Sequence, residues 1–441
     1  MAEIKRKLMG NGSNQLLAED RPVHDWFRFV LSYPPHLVRE YLGRFDARRG
    51  QFVLDPFCGT GTTVVECKKL GIASIGLEVN PAVAAFARTK TDWAINPRSL
   101  ETHARGIYDK ALEKLHKHGL SDNGELFSAA QNVSSCDAGR LRTLPEESMA
   151  LLIKNSISPL PLHKAIVLLE TIEESKEVTY HQHERLALAK TVVYGASNLH
   201  FGPEVGVSRV KKQDAGVISA WLNNILQMCR DLRVVADCGP TEAAVRCEDS
   251  RTIAQSFDGR SVDTVITSPP YPNEKDYTRT TRLESVLLGY ISTRQDLRDL
   301  KKSFVRSNTR GVFAGDEDDK YIRGNPRIEN IARDIEIRRI ELGKTSGFER
   351  LYGRLTKLYF GGMARHFAEL RERLSPGARL AYVVGDQASY LRVMIRTGQL
   401  LGEIAESLGY EVTDIDLFRT RLSTTTGEQL REEVLLLRWP G

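Results

Sequence analysis

Cysteine is scarce in this 441-residue chain, and its six copies (Cys58, Cys67, Cys136, Cys229, Cys238 and Cys247) include no Cys-x-x-Cys pair. That scatter argues against a zinc ribbon or a disulfide framework and suits a reducing compartment. Apolar runs long enough to span a bilayer are absent, and Met1 is followed by Ala-Glu-Ile-Lys-Arg-Lys rather than by the apolar segment of a secretion signal. A cytoplasmic protein without membrane association is therefore expected. Low-complexity tracts are also missing, and 41% hydrophobic with 27% charged residues is the composition of a folded globular chain. Charge of one sign is in slight excess only: a net +5 permits a polyanionic partner without demanding one. No metal site is expected, because the nearest pattern, His181-Gln182-His183, turns its two imidazoles to opposite faces of a helix.

Two nucleotide signatures are missing as well. After the short apolar run Gln51–Leu54, which reads as a buried strand, comes Asp55-Pro56-Phe57-Cys58-Gly59-Thr60-Gly61-Thr62-Thr63. The turn has no Gly-Lys-Ser/Thr, which excludes a phosphate loop for nucleoside triphosphates. The third glycine of a dinucleotide fingerprint is replaced by Val64, which makes a nicotinamide or flavin dinucleotide a poor match. What remains is a glycine turn between a strand and a helix (Thr63–Leu70), where Gly59 and Gly61 let backbone N–H groups approach a ligand and the Asp55 carboxylate suits a cationic group. A second strand, Ala73–Leu77, completes a βαβ unit and ends in Glu78-Val79-Asn80. A carboxylate at that place accepts hydrogen bonds from both hydroxyls of a ribose. Cys58 is read as a packing residue.

Far downstream, the strand Thr264–Thr267 runs into Ser268-Pro269-Pro270-Tyr271. Two consecutive prolines fix φ and carry no N–H, so their carbonyls are held rigidly and without competing donors. The Ser268 hydroxyl and Pro269 carbonyl are acceptors for the hydrogens of a planar amine, and Tyr271 offers a flat ring for stacking. Upstream, Ala243–Cys247 is read as a strand ending at Asp249-Ser250.

The pair of motifs resembles those of the amino-group DNA methyltransferases. The resemblance implies an α/β, Rossmann-like class I sheet, S-adenosylmethionine as cofactor, and transfer of its methyl to an exocyclic base nitrogen in double-stranded DNA after base flipping. Tyr33 and Pro34, in Tyr33-Pro34-Pro35, match the family segment that covers the methionine end. By the same resemblance Asp55 to Thr63, Glu78, Val79, Asn80, Asp249 and Ser250 hold the cofactor, with Asp249 on the adenine amine. Ser268, Pro269, Pro270 and Tyr271 form the catalytic set. Serine at the head of that set is more typical of the cytosine-N4 members than of the adenine-N6 members. Many serine-type members carry the Pro-Pro motif first, whereas here the cofactor loop comes first. A companion restriction endonuclease is a further implied partner. Adenine-N6 methylation, RNA amino-methylation and a silent DNA-binding relative are the competing readings.

The chain divides accordingly. Residues 1–23 read as a flexible arm, 24–96 as the first part of the core and 97–237 as a mainly helical insertion and candidate target-recognition region. Residues 238–293 are the second part of the core, 294–352 an irregular polar surface insertion, and 353–441 the last part of the core. DNA contacts are expected from Arg279 and Arg282 beside the Pro-Pro motif and from Lys301, Lys302, Arg306 and Arg310 in the polar insertion, where cations are interleaved with Ser, Asn and Gly.

Overall fold

A computed structural model describes residues 15–29, 32–122, 141–202, 204–253, 259–422, 427 and 429–441. Its centre is a seven-stranded sheet built from β1 (Phe52–Asp55), β2 (Ala73–Leu77), β5 (Ala243–Arg246), β6 (Val262–Thr267), β7 (Leu374–Gly385), β8 (Glu411–Leu422) and β9 (Gln429–Arg438). The order is β5-β2-β1-β6-β7-β9-β8. Strands β5 to β7 run parallel, and β9 is antiparallel to both β7 and β8. The expected Rossmann-like architecture is thus present. All four residues of β1 are buried, as a strand covered by helices on both faces requires. Because β2 lies on one side of β1 and β6 on the other, a crevice opens at their carboxyl ends, the place where open α/β sheets bind ligands.

The described residues of the stretch 97–237 are mainly helical. Helices Pro97–Lys117, Pro159–Glu174, Val178–Lys190 and Val217–Val235 bury apolar stripes in a core that also contains Val65, Ala82 and Phe86 from the helices flanking β2. A hairpin of β3 (Leu199–Phe201) and β4 (Val205–Val207) projects from it.

Two expectations are corrected. Residues 1–14 lie outside the described residues, but the end of the supposed arm is anchored: Val23 is buried and its N–H donates to Asp231 at 3.1 Å, and buried Asp20 pairs with Arg39 at 2.7 Å. Residues 294–352 are not irregular either. Helix Arg294–Ser303 starts in a capping box of Thr293 and Asp296, and helix Pro326–Glu341 starts from an Asn325 cap. The latter buries Ile328, Ala332 and Ile335, spaced at helical intervals among charged residues, against helix Tyr352–Arg371. No helix among the described residues is long and apolar enough to cross a membrane.

Candidate active site

The turn after β1 closes tightly because Gly59 and Gly61 have φ of +51° and +85°, values that disfavour any other residue. Gly61 also has no room: an added Cβ would lie 3.1 Å from Val64 and 3.2 Å from Ala87. Gly76 in β2 makes space for the turn, since a Cβ there would sit 2.7 Å from the Cys58 side chain. Burial pushes the Cys58 thiol well above its ordinary pKa, which leaves it protonated and inert.

Asp55 is fully enclosed. Tyr33 Oη donates to it at 2.8 Å, Thr267 Oγ1 at 2.6 Å and the Phe57 N–H at 3.2 Å, and Tyr33 also bonds Thr63. Burial raises the Asp55 pKa, against the pull of these bonds. The carboxyl does not line the cavity beside the turn, so the expectation that it meets a cationic ligand group directly is corrected. It ties β1, β6 and the Tyr33 segment together beside the cavity. Thr60, Gly61, Thr63, Pro34 and Asn80 likewise support rather than line. Asn80 caps helix Pro81–Thr91 and donates to Thr281 at 3.0 Å.

The cavity itself measures about 340 Å³, and it brings the separated motifs together. Tyr33, Pro56, Phe57, Cys58, Gly59, Thr62, Glu78 and Val79 line it with Asp249, Ser250 and the whole Ser268–Tyr271 set. Glu78 takes the N–H of Gly59 at 3.1 Å and of Asn80 at 2.8 Å, and burial pushes its carboxyl up to about 7. Asp249 is gripped by Arg251, whose Nη2 lies 2.7 Å and Nε 3.1 Å from Oδ2.

Ser268 Oγ donates to the Val383 carbonyl at 3.0 Å. Tyr271 packs so closely on β7 that a Cβ on Gly385 would come within 3.0 Å of its ring, and its N–H donates to Tyr277 Oη at 3.2 Å. Burial, reinforced by Glu432, raises the Tyr271 pKa and keeps the phenol neutral. The Tyr277 ring stacks between Phe29 and Phe304, each 6.4 Å away. Phe29, Tyr277, Phe304, Lys275, Arg419 and Glu432 also line the cavity, and the sequence reading did not single them out. Closeness in sequence to Tyr271 was a signal only for Lys275 and Tyr277.

The cations expected to touch DNA fall into different settings. Arg279 donates to the Val205 carbonyl of the hairpin at 3.2 Å, and Arg282 to Leu151 and Thr278 carbonyls at 3.2 and 3.1 Å. Lys301 pairs with Asp276 at 3.1 Å and Lys302 with Asp299 at 3.1 Å, while Arg310 lies 5.8 Å over the Phe348 ring. Arg306 is buried in a two-bond pair with Asp316 at 2.7 and 2.8 Å, so its expected role as a surface phosphate contact is corrected. His181 meets Glu173 at 3.0 Å and His183 the Asp92 carbonyl at 3.1 Å.

A DNA methylase family pattern of the N6/N4 type matches residues 11–88, which contain the cofactor turn and Glu78. Type II methyltransferase M.BsoBI of Geobacillus stearothermophilus is 25% identical over 95% of this chain and 84% of its own length. Type II methyltransferase M.AvaI of Nostoc sp. is 23% identical over 99% of this chain and 90% of its own. This chain is thus similar to N6/N4 DNA methylases over residues 11–88 and to two type II methyltransferases over nearly its whole length. A shorter match, 38% identical over 15% of this chain and 13% of the other, joins it to Type II methyltransferase M.MjaII of Methanocaldococcus jannaschii. The methyltransferase's cofactor is S-adenosylmethionine, and the donor set beside the turn, with Glu78 partly open to the cavity and a backbone freed of side chains, fits such a group.

Proposed function

We propose that this amino-group DNA methyltransferase modifies the exocyclic N4 of cytosine in a defined duplex site, with the base flipped into the cavity and stacked on Tyr271. Glu78 holds the ribose, and Asp249 with Ser250 the adenine end. Bound S-adenosylmethionine supplies an electrophilic methyl. An exocyclic amine is a poor nucleophile because its lone pair is delocalised into the ring. The Ser268 hydroxyl has committed its one hydrogen to Val383, so toward the base it offers only lone pairs. With the Pro269 carbonyl it accepts the amine hydrogens, favours a tetrahedral nitrogen and turns the lone pair toward the methyl. The surplus proton leaves to solvent after transfer, and no protein nucleophile takes part.

The commitment of the Ser268 hydroxyl carries this reading, and serine at the head of the motif supports cytosine. A companion restriction endonuclease with the same site, in the cytoplasm of the same cell, is the setting the proposal implies. The test is nucleoside mass spectrometry of duplex DNA treated with the protein and methyl-labelled cofactor. N4-methylcytosine is the expected product. N6-methyladenine overturns the base assignment, and label in RNA alone or nowhere overturns the function.

A further inference from the structure

One buried cation has no part in the chemistry above. Arg251 is 6% exposed, and its guanidinium reaches three separate pieces of chain. It forks onto Asp249 through Nε and Nη2. Nη1 donates to Asp318 Oδ2 at 2.6 Å, and Nη2 donates to the Ser303 carbonyl at 2.9 Å and the Lys302 carbonyl at 3.4 Å. The approach of Asp318 is built in: a Cβ on Gly361 would lie 2.0 Å from the Asp318 carbonyl oxygen, so only glycine admits this segment against helix Tyr352–Arg371. Just beyond Ser303, Phe304 and Val305 line the cavity. Phe304 stacks on Tyr277 at 13° between planes, and Tyr277 accepts from Tyr271.

We infer that Arg251 is a positioning residue that couples the two ends of the cavity. It fixes Asp249 at the cofactor end and the Ser303–Val305 strip at the target end, with Asp318 anchoring it from behind. The inference rests on the reading of Asp249 as a cofactor ligand. A planar fork suits the task, because one rigid group orients several acceptors at once. Asp318 does not line the cavity; its carboxylate pairs with Arg251 at 2.6 Å and with Arg365 at 3.4 Å, and Arg251 is the partner that connects it to Asp249 and Ser303.

The experiment measures the cofactor Kd by calorimetry and kcat at saturating cofactor and DNA for full-length Asp249→Asn, Asp318→Asn and the double variant. Asp249→Asn is expected to raise Kd about tenfold, the loss of one charged hydrogen-bonding partner. Asp318→Asn is expected to raise Kd about fivefold and lower saturated kcat by a similar factor, yet to add under about twofold to Kd in the Asp249→Asn background, because coupled sites are non-additive. Arg251→Lys, which keeps the charge but not the fork, should give the same split in Kd and kcat by a second route. The two failures are separable. An unchanged Kd in Asp249→Asn overturns the assignment of Asp249. A weakened Asp249→Asn together with wild-type Kd and kcat in Asp318→Asn and Arg251→Lys overturns the coupling, whatever happens to thermal stability.

Discussion

The Ser268 hydroxyl donates to the Val383 carbonyl at 3.0 Å across the β6–β7 boundary. Strand β7 therefore sets how the residue at the head of the Ser268–Tyr271 motif presents itself, as an acceptor and not a donor. Ser268→Ala removes one preorganised hydrogen-bonding group and should lower kcat by about 10²-fold, the usual scale for such a loss at a reacting centre. The cofactor Kd should stay within about twofold, since the groups read as its ligands are untouched. Single-turnover methylation with parallel calorimetry checks both numbers, and a variant with wild-type turnover would leave Ser268 without a role.

Glu78 gives a pH dependence with a definite sign. Burial raises its folded pKa from 4.5 to about 7. Its contribution to stability is therefore fully present below 4.5 and lost as pH rises through about 7. Binding runs the other way, because the ionised carboxylate is the better acceptor for ribose hydroxyls. S-adenosylmethionine affinity should rise about tenfold between pH ~6 and pH ~8 as the ionised fraction grows. Calorimetry across that range should give a flat profile for Glu78→Gln, and a flat wild-type profile would refute the assignment.

What could be read from the chain was local. Asp55, the glycine turn and Glu78 sit within one βαβ unit, where a periodicity change and a turn composition mark every boundary. Ser268–Tyr271 announces itself by its prolines. What stayed hidden depends on partners distant in sequence. Asp55 looks like a ligand until Tyr33 and Thr267 are seen to enclose it, and Arg306 looks like a surface cation until Asp316 is seen beside it. Helix Pro326–Glu341 was missed because only Ile328, Ala332 and Ile335 of its 16 residues are buried, too few to outweigh its charges in a composition-based reading. Strand β8 lies at the sheet edge and buries none of its 12 residues fully, so it lacks the apolar signal that marks β1.

Tyr277 separates stacking from hydrogen bonding beside Tyr271. Tyr277→Phe keeps the ring between Phe29 and Phe304 but removes the acceptor of the Tyr271 N–H. A part-buried donor left without a partner costs about 1–3 kcal/mol, and the displaced Tyr271 should lower kcat/KM for DNA with little change in cofactor affinity. Tyr277→Leu also loses the stack and should be worse by about 0.5–1.5 kcal/mol in transition-state stabilisation. Equal kcat/KM for the two variants would mean that the hydrogen bond, and not the stack, carries the effect.

The contact of Gly76 with Cys58 makes a last prediction that tests shape against chemistry. A Cβ at position 76 would lie 2.7 Å from both the Cβ and the Sγ of Cys58, in a strand interior that cannot yield without disturbing β1. Gly76→Ala should therefore destabilise the protein by about 1–3 kcal/mol, the range for forcing extra volume into a packed interior, and weaken cofactor binding by displacing the turn. Cys58→Ala keeps the Cβ and cannot relieve the clash, whereas Cys58→Gly can and should recover part of the loss in the Gly76→Ala background. In the wild-type background Cys58→Ala should methylate normally, because its thiol is held protonated by burial and serves only as volume. Thermal melts of the single and double variants, read together with methylation of the Cys58→Ala protein, separate the two roles: a dead Cys58→Ala enzyme with an unshifted melt would give the thiol a chemical part that its burial denies it.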